Sequence, residues 1–194
     1  MFLLMSGAEG SCKQQVAKAF EKDGYTTLSL DAVLPSDEFE ILQKRIDLHR
    51  EAEKLSKRKN IVMIRSPYES VYVYGRLKLQ NNQLSKKDYE RLEDQLNHAD
   101  LQPPDMMVYL YHSAKMSAFN RMLLCNQDPV EEDYDDICSL YNEIVDRVKI
   151  PLVKCDVSQN FDTVLKDLDF SIAAVRSIRL DMSSIYKKEM FYGI

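Results

Sequence analysis

The sequence predicts a three-layer α/β fold, a parallel sheet of about five strands flanked by helices. Two observations point there. Short apolar runs alternate with helical stretches along the whole chain. The runs are also uniformly apolar rather than alternating, as strands buried on both faces must be. A third observation limits the count: 194 residues suit one domain with a substantial core, and two would be cramped.

Taken in order, "FLLM" is the first strand, and "VAKAF" opens the helix after the loop that follows it. "YTTLSL" (Tyr25–Leu30), rich in threonine and apolar residues, is a second strand ending at Asp31. Ser36 and Asp37 cap a long helix in which Phe39, Leu42, Ile46 and Leu48 recur at roughly helical spacing. "NIVMI" (Asn60–Ile64) reads as a fully buried strand ending at Arg65 and Ser66. Helical text resumes from Pro67 to Gln80, breaks at "QNNQ" and restarts at Ser85. There "SKKDYERLEDQL" puts Tyr89, Leu92 and Leu96 on one face. "QPPD" stops that helix and "MMVYLY" (Met106–Tyr111) is another strand. A helix from Lys115 runs to the acidic loop "NQDPVEEDYDD", and "ICSLYNEIVDRV" is the next helix. "PLVKC" is the last strand and "FDTVLKDLDFSIAAV" a weak closing helix.

Composition excludes several roles. A formal net charge of -5 without a basic, aromatic-interleaved stripe argues against nucleic acid as a partner. No apolar run approaches the roughly 20 residues that cross a bilayer, so no membrane role is expected. "MFLLM" is too short for a signal-peptide core. The four cysteines are scattered without a C-x-x-C pair, which favours reduced thiols and a cytoplasmic location. His49, His98 and His112 lack metal-ligand spacing, and no protein metal site is expected.

In parallel sheets of this kind ligands sit beyond the carboxyl ends of the strands. The residues there are Gly7 to Lys13, Asp31, Arg65 with Ser66, and His112 with Ser113. The first group, within "SGAEGSCKQQ", has Gly7 and Lys13 at the spacing of a phosphate-binding loop, between a strand and a helix as that motif requires. Backbone N–H groups and a helix amino terminus hold phosphates without particular side chains, and Lys13 adds a mobile positive charge. Cys12 stands where a second glycine belongs, which its Cβ tolerates only at negative φ. Gln14 replaces a compact hydroxyl and could reach Mg²⁺ only through water.

Three stretches resemble the deoxynucleoside kinase family of the P-loop fold. "LLMSGAEGSCKQQ" is similar to the family loop at Gly7, Gly10, Ser11 and Lys13. "IVMIRSPYESVYVYGRLKLQNNQLS" resembles its [DE]-R-S strand and following helix, with Arg65, Ser66, Tyr72 and Leu84 in register. "PPDMMVYLYHSAKMSAFNRM" resembles its P-D-L-I-I-Y-L-x-x-S-P strand and lid entry. The likeness covers roughly Phe2 to Asp156, and residues 1–180 are expected to form one such domain, with 181–194 a tail of unknown role.

The resemblance implies ATP- and Mg²⁺-dependent phosphorylation of a nucleoside 5′-hydroxyl. Asp31 would then be the general base, and Arg65 would hold the hydroxyl region and the transferred phosphate. Gly7, Gly10, Ser11, Cys12, Lys13, Gln14 and the lid's Arg121 would meet ATP. Tyr72, Glu40 or Gln43 on the long helix, and Glu131 or Glu132 in the lid would meet the nucleoside. It also implies a homodimer packed through helices, for which "KDYERLEDQL" offers an amphipathic surface. Departures are equally plain: Ile64 takes the acidic place of [DE]-R-S, and Arg121 is the only arginine in "NRMLLCNQDPVEEDY". They leave a second reading open, a catalytically degenerate kinase fold that binds nucleotide or protein.

Overall fold

Leu3, Leu4 and Met5 are at most 1% exposed because their strand runs through the middle of the sheet. This computed structural model describes residues 1–30, 36–113 and 133–179. Its strands are β1 (Phe2–Ser6), β2 (Thr26–Leu28), β3 (Ile61–Ile64), β4 (Met106–Tyr111) and β5 (Leu152–Asp156). They form one five-stranded sheet in the order β2-β3-β1-β4-β5, every pairing parallel. β1 pairs with β3 so that Met5 faces Ile64, and with β4 so that Ser6 faces Tyr109. That register brings the chain after Ser6, Ile64 and Tyr111 to the same end of the sheet.

Alternate residues of β1 feed two different cores. Leu4 joins Leu42, Ile46, Val71, Leu92, Leu96 and Tyr141. These come from α2 (Glu38–Ser56), the π-helical Ser70–Gly75, α5 (Lys86–His98) and α6 (Tyr134–Val145). Leu3 and Met5 join Val16, Phe20, Val164 and Leu168, from α1 (Lys13–Lys22) and α7 (Phe161–Arg179). The three-layer prediction is therefore met, with helices on both faces of a parallel sheet. Burying a side chain such as Leu42 or Ile46 contributes about 1.5–3 kcal/mol, so these faces fix where α2 and the site it carries must lie.

The helix starts follow their caps. Asp37 accepts the amide of Phe39 at 2.7 Å to begin α2, and Ser85 accepts that of Asp88 at 3.1 Å to begin α5. Ser66 and Glu69 form a reciprocal capping box at α3 (Pro67–Glu69), which runs through the π-helical turns into α4 (Arg76–Gln80).

Departures from expectation cluster at the sheet edges. β2 is three residues, all half-buried, and β5 is half-buried along most of its length, because each has a neighbour on one side only. The acidic stretch read as a loop is helical from Tyr134, with Asp135 and Asp136 in the first turn of α6, where the helix dipole favours carboxylates. Asp31, the helix expected from Lys115, Arg121, Glu131, Glu132 and the tail 181–194 lie outside the described residues.

Candidate functional site

The loop after β1 is built from backbone conformations that few residues accept. Gly7 has φ 144°, and a Cβ there would lie 2.4 Å from the Leu110 carbonyl oxygen and 2.5 Å from Ser11 Oγ. Gly10 has φ 75°. Cys12, as the residue before α1, sits at φ 60° and ψ 21°, the left-handed region. The expectation of negative φ is therefore corrected: the turn keeps the shape a glycine would give it, and the Cβ bears a strain of about 1 kcal/mol. The thiol expectation is corrected as well. Cys12 is disulfide-bonded, while Cys138 and Cys155 are free, so its partner is not among the described residues.

Lys13 is turned into its own loop. Its Nζ donates to the carbonyls of Gly7 at 2.8 Å and Ala8 at 2.5 Å and to Ser11 Oγ at 3.3 Å, with the side chain only 4% exposed. Glu9 Oε2 lies 3.9 Å away. The other Glu9 oxygen accepts from Arg65, so one loop carboxylate stands between the two cations at the ends of β1 and β3. Gln14, next in sequence, is exposed. His112, just past β4, shares its Nε2 with the Gly10 carbonyl at 2.9 Å and closes the loop from the other side.

Arg65 itself has φ 65°. A left-handed arginine persists only where its surroundings hold it, and such outliers concentrate at functional sites. Its amide donates to the Met5 carbonyl at 3.0 Å, which pins it beside the loop. Its guanidinium lies 4.8 Å from the Tyr74 ring centroid, and Arg45 approaches the same ring at 6.0 Å. Burial, then repulsion from Arg65, holds the Arg45 pKa below that of an ordinary arginine. Among the described residues one guanidinium nitrogen of Arg45 and the hydroxyl of Ser70 are buried without a hydrogen-bond partner.

Glu69 joins these pieces underneath. It is fully buried; Oε1 accepts from Ser6 Oγ at 2.7 Å and the Ser66 amide at 2.9 Å, and Oε2 accepts from Tyr141 at 2.6 Å. One carboxylate thus ties the ends of β1 and β3 to α6. Burial, and then the Glu69 charge, keeps the Tyr141 hydroxyl far from ionising. At the sheet's other flank, Asp156 accepts from the amides of Ser113 and Ser158, joining the ends of β4 and β5.

The structure gathers Gly7, Gly10, Ser11, Cys12, Lys13 and Arg65 at one end of the sheet. Asp31, Arg121, Glu131 and Glu132 lie outside the described residues. Glu40 is exposed and pairs with Lys44 at 3.0 Å, and Gln43 is exposed and bonded to Asp47 and Gln95. Tyr72 is half-buried, its pKa pushed up to about 12 by burial and then by the charge of Glu93 on α5. Tyr74, two residues on, is the ring beside the arginines. Glu9, Arg45, Glu69, Ser70 and Tyr74 are the site residues that sequence reasoning missed. A signal existed for Arg45, which shares a helical face with Leu42 and Ile46 and is therefore a charge aimed inward.

The profile of the deoxynucleoside kinase family matches residues 37–177, nearly all of the chain beyond β2. The chain belongs to the deoxynucleoside kinase family. Three structures of deoxyadenosine kinase from M. mycoides share the fold of this deoxynucleoside kinase family member. With bound dATP the TM-score is 0.69 at 16% identity, over 89% of this chain and 100% of that one. With products dCMP and a flexible dCDP it is 0.68 at 14%, and with bound dCTP 0.65 at 19%, each over 90% of this chain and 100% of that one. No curated protein matches in sequence. The loop from Gly7 to Lys13 precedes the matched segment, so the family assignment is independent of the altered motif.

Proposed function

We propose that this protein transfers a phosphoryl group from ATP to the 5′-hydroxyl of a deoxynucleoside. The observation that carries the reading is the convergence of Lys13 and Arg65 on one loop carboxylate, beside the buried Arg45 and the half-buried Tyr74. Two cations that share a carboxylate can share a phosphate chain in its place. Membership of the family and relatives that carry nucleotides support the same reading.

The loop fits a phosphate chain in its backbone: the Gly7 position leaves no room for a Cβ, and Lys13 stands at the start of α1, where the helix dipole favours an anion. Lys13 would exchange carbonyl partners for phosphate oxygens, and Arg65 would neutralise charge on the transferred group. Phosphoryl transfer depends mainly on such alignment and neutralisation. The nucleoside would lie along Tyr74, with its polar edge meeting the unpartnered nitrogen of Arg45 and the hydroxyl of Ser70. Asp31, three residues beyond β2 in the sequence, is proposed as the base that takes the hydroxyl proton. For Mg²⁺ the fit is poor: Gln14 offers no compact oxygen, and no group of three or more His, Cys, Asp or Glu among the described residues could hold a metal. A metal would arrive with the nucleotide and supply charge neutralisation only.

A second reading rests on Lys13, whose contacts are filled by its own loop, and on the disulfide at Cys12. Both suit a nucleotide- or protein-binding module that does not turn over. A phosphate-transfer assay with labelled ATP–Mg²⁺ and a panel of deoxynucleosides separates the two. Transfer that is lost in Asp31→Asn upholds the kinase, and binding without transfer in the wild type replaces it with the second reading.

A further inference from the structure

We infer that Glu9 is a specificity-determining residue: a built-in phosphate substitute that sets how many phosphates a ligand must carry to enter the loop. This rests on the reading of the Gly7–Lys13 loop as the phosphate site and deepens it. Glu9 lies inside the loop, and its carboxylate spans the gap between the ends of β1 and β3. One oxygen accepts from Arg65; the other stands 3.9 Å from Lys13 Nζ. The two basic side chains are 13% and 4% exposed and the Glu9 side chain 26%, so the anion is the part of the trio closest to solvent.

Those exposures give the direction of exchange. Lys13 and Arg65 cannot leave without dismantling the loop, whereas Glu9 can swing into water. An incoming phosphate must therefore take over contacts with two cations and also suffer repulsion from the displaced carboxylate. A single phosphate group replaces one contact at a time and gains little. A polyphosphate replaces both at once and expels Glu9. The charge-assisted contacts involved are the strong class, so a ligand that replaces only one of them bears most of the cost of displacing Glu9, and a longer phosphate chain offsets it. Affinity should consequently rise more steeply with phosphate number than in a loop with a neutral residue at this position.

The test is binding, not turnover. Wild type, Glu9→Gln and Lys13→Met are titrated calorimetrically with AMP, ADP and ATP without metal, and folding is checked by circular dichroism. Glu9→Gln keeps the shape and removes the charge; Glu9→Ala is the fallback if it fails to fold. The expected result is an ATP-to-AMP affinity ratio about tenfold smaller in Glu9→Gln than in wild type, because AMP gains most from losing the carboxylate, and loss of binding in Lys13→Met. If wild type binds ATP, Lys13→Met does not, and Glu9→Gln leaves the ATP-to-AMP ratio unchanged or larger, the inference about Glu9 is overturned and the phosphate site stands. If Lys13→Met binds as wild type does, or no form binds any nucleotide, the site reading fails and takes this inference with it.

Discussion

The two sides of the site solve the problem of buried polarity in opposite ways. On the donor side Lys13 is turned onto the carbonyls of its own loop, and Glu9 bridges the cations. On the acceptor side Arg45 and Ser70 are buried with polar atoms that find no partner among the described residues. The loop lysine is satisfied by its own carbonyls, whereas Arg45 and Ser70 each keep an unpartnered atom among the described residues. A buried group left unsatisfied costs about 1–3 kcal/mol, so in the proposed site the Arg45 side is the one that a ligand would stabilise more.

The sharpest way to break this contrast is to remove the cation that the donor side has satisfied. Lys13→Met is expected to lower phosphoryl transfer about 10³-fold in the labelled-ATP assay, with no gain in stability, because three good contacts disappear with it. Next comes pH, since α2 carries a second buried group, His49, whose pKa burial lowers from 6.5 to about 4. The folded state keeps this ring neutral while the unfolded chain protonates it. Stability is thus full above about pH 6.5 and falls as pH drops towards about 4, by about 3 kcal/mol in all. Urea unfolding between pH 7 and pH 4, with His49→Asn as reference, reads it; equal slopes for the two proteins would remove His49 as the source.

Arg45→Met should move stability and binding in opposite directions. Deoxynucleoside affinity by calorimetry is expected to fall about tenfold or more, while the melting temperature rises by a few degrees, because a buried charge with one unpartnered nitrogen is replaced by an apolar chain. A drop in both would mean the guanidinium is a structural member of the core. Glu69→Gln is expected to cost about 1–3 kcal/mol by denaturant unfolding, since an amide cannot accept all three of its bonds. The smallest effect is Cys12→Gly in fully reduced protein, which relieves a left-handed Cβ and should stabilise by up to about 1 kcal/mol.

Most of the fold was legible because its signals are local. "FLLM" and "MMVYLY" are apolar without interruption, and both became buried strands. Asp37 and Ser85 announced their helices by capping chemistry. The Gly7–Lys13 loop was legible for the same reason, its residues being consecutive. The acceptor wall was not, because Arg45, Glu69 and Tyr74 meet only after α2 and the helix beyond β3 pack on one face of the sheet. Tyr72 was chosen from the resemblance to the family stretch, and such an alignment does not say which ring meets the arginines; that depends on how the helix beyond β3 packs. Cys12 was misjudged because its φ is imposed by the fixed turn between Gly10 and α1, which overrides the residue's own preference.

The π-helical turns over Ser70–Gly75 make that last point into a dial. Each such turn holds an additional residue compared with an α-helix, and residues in an α-helix step by about 100° around the axis. Shortening the stretch by a single codon would rewind it, carry Tyr74 off the guanidinium groups and swing another side chain into its place. The seating of Tyr74 between Arg45 and Arg65 can therefore change through a one-residue length change, with the ring and both guanidinium groups kept in the gene.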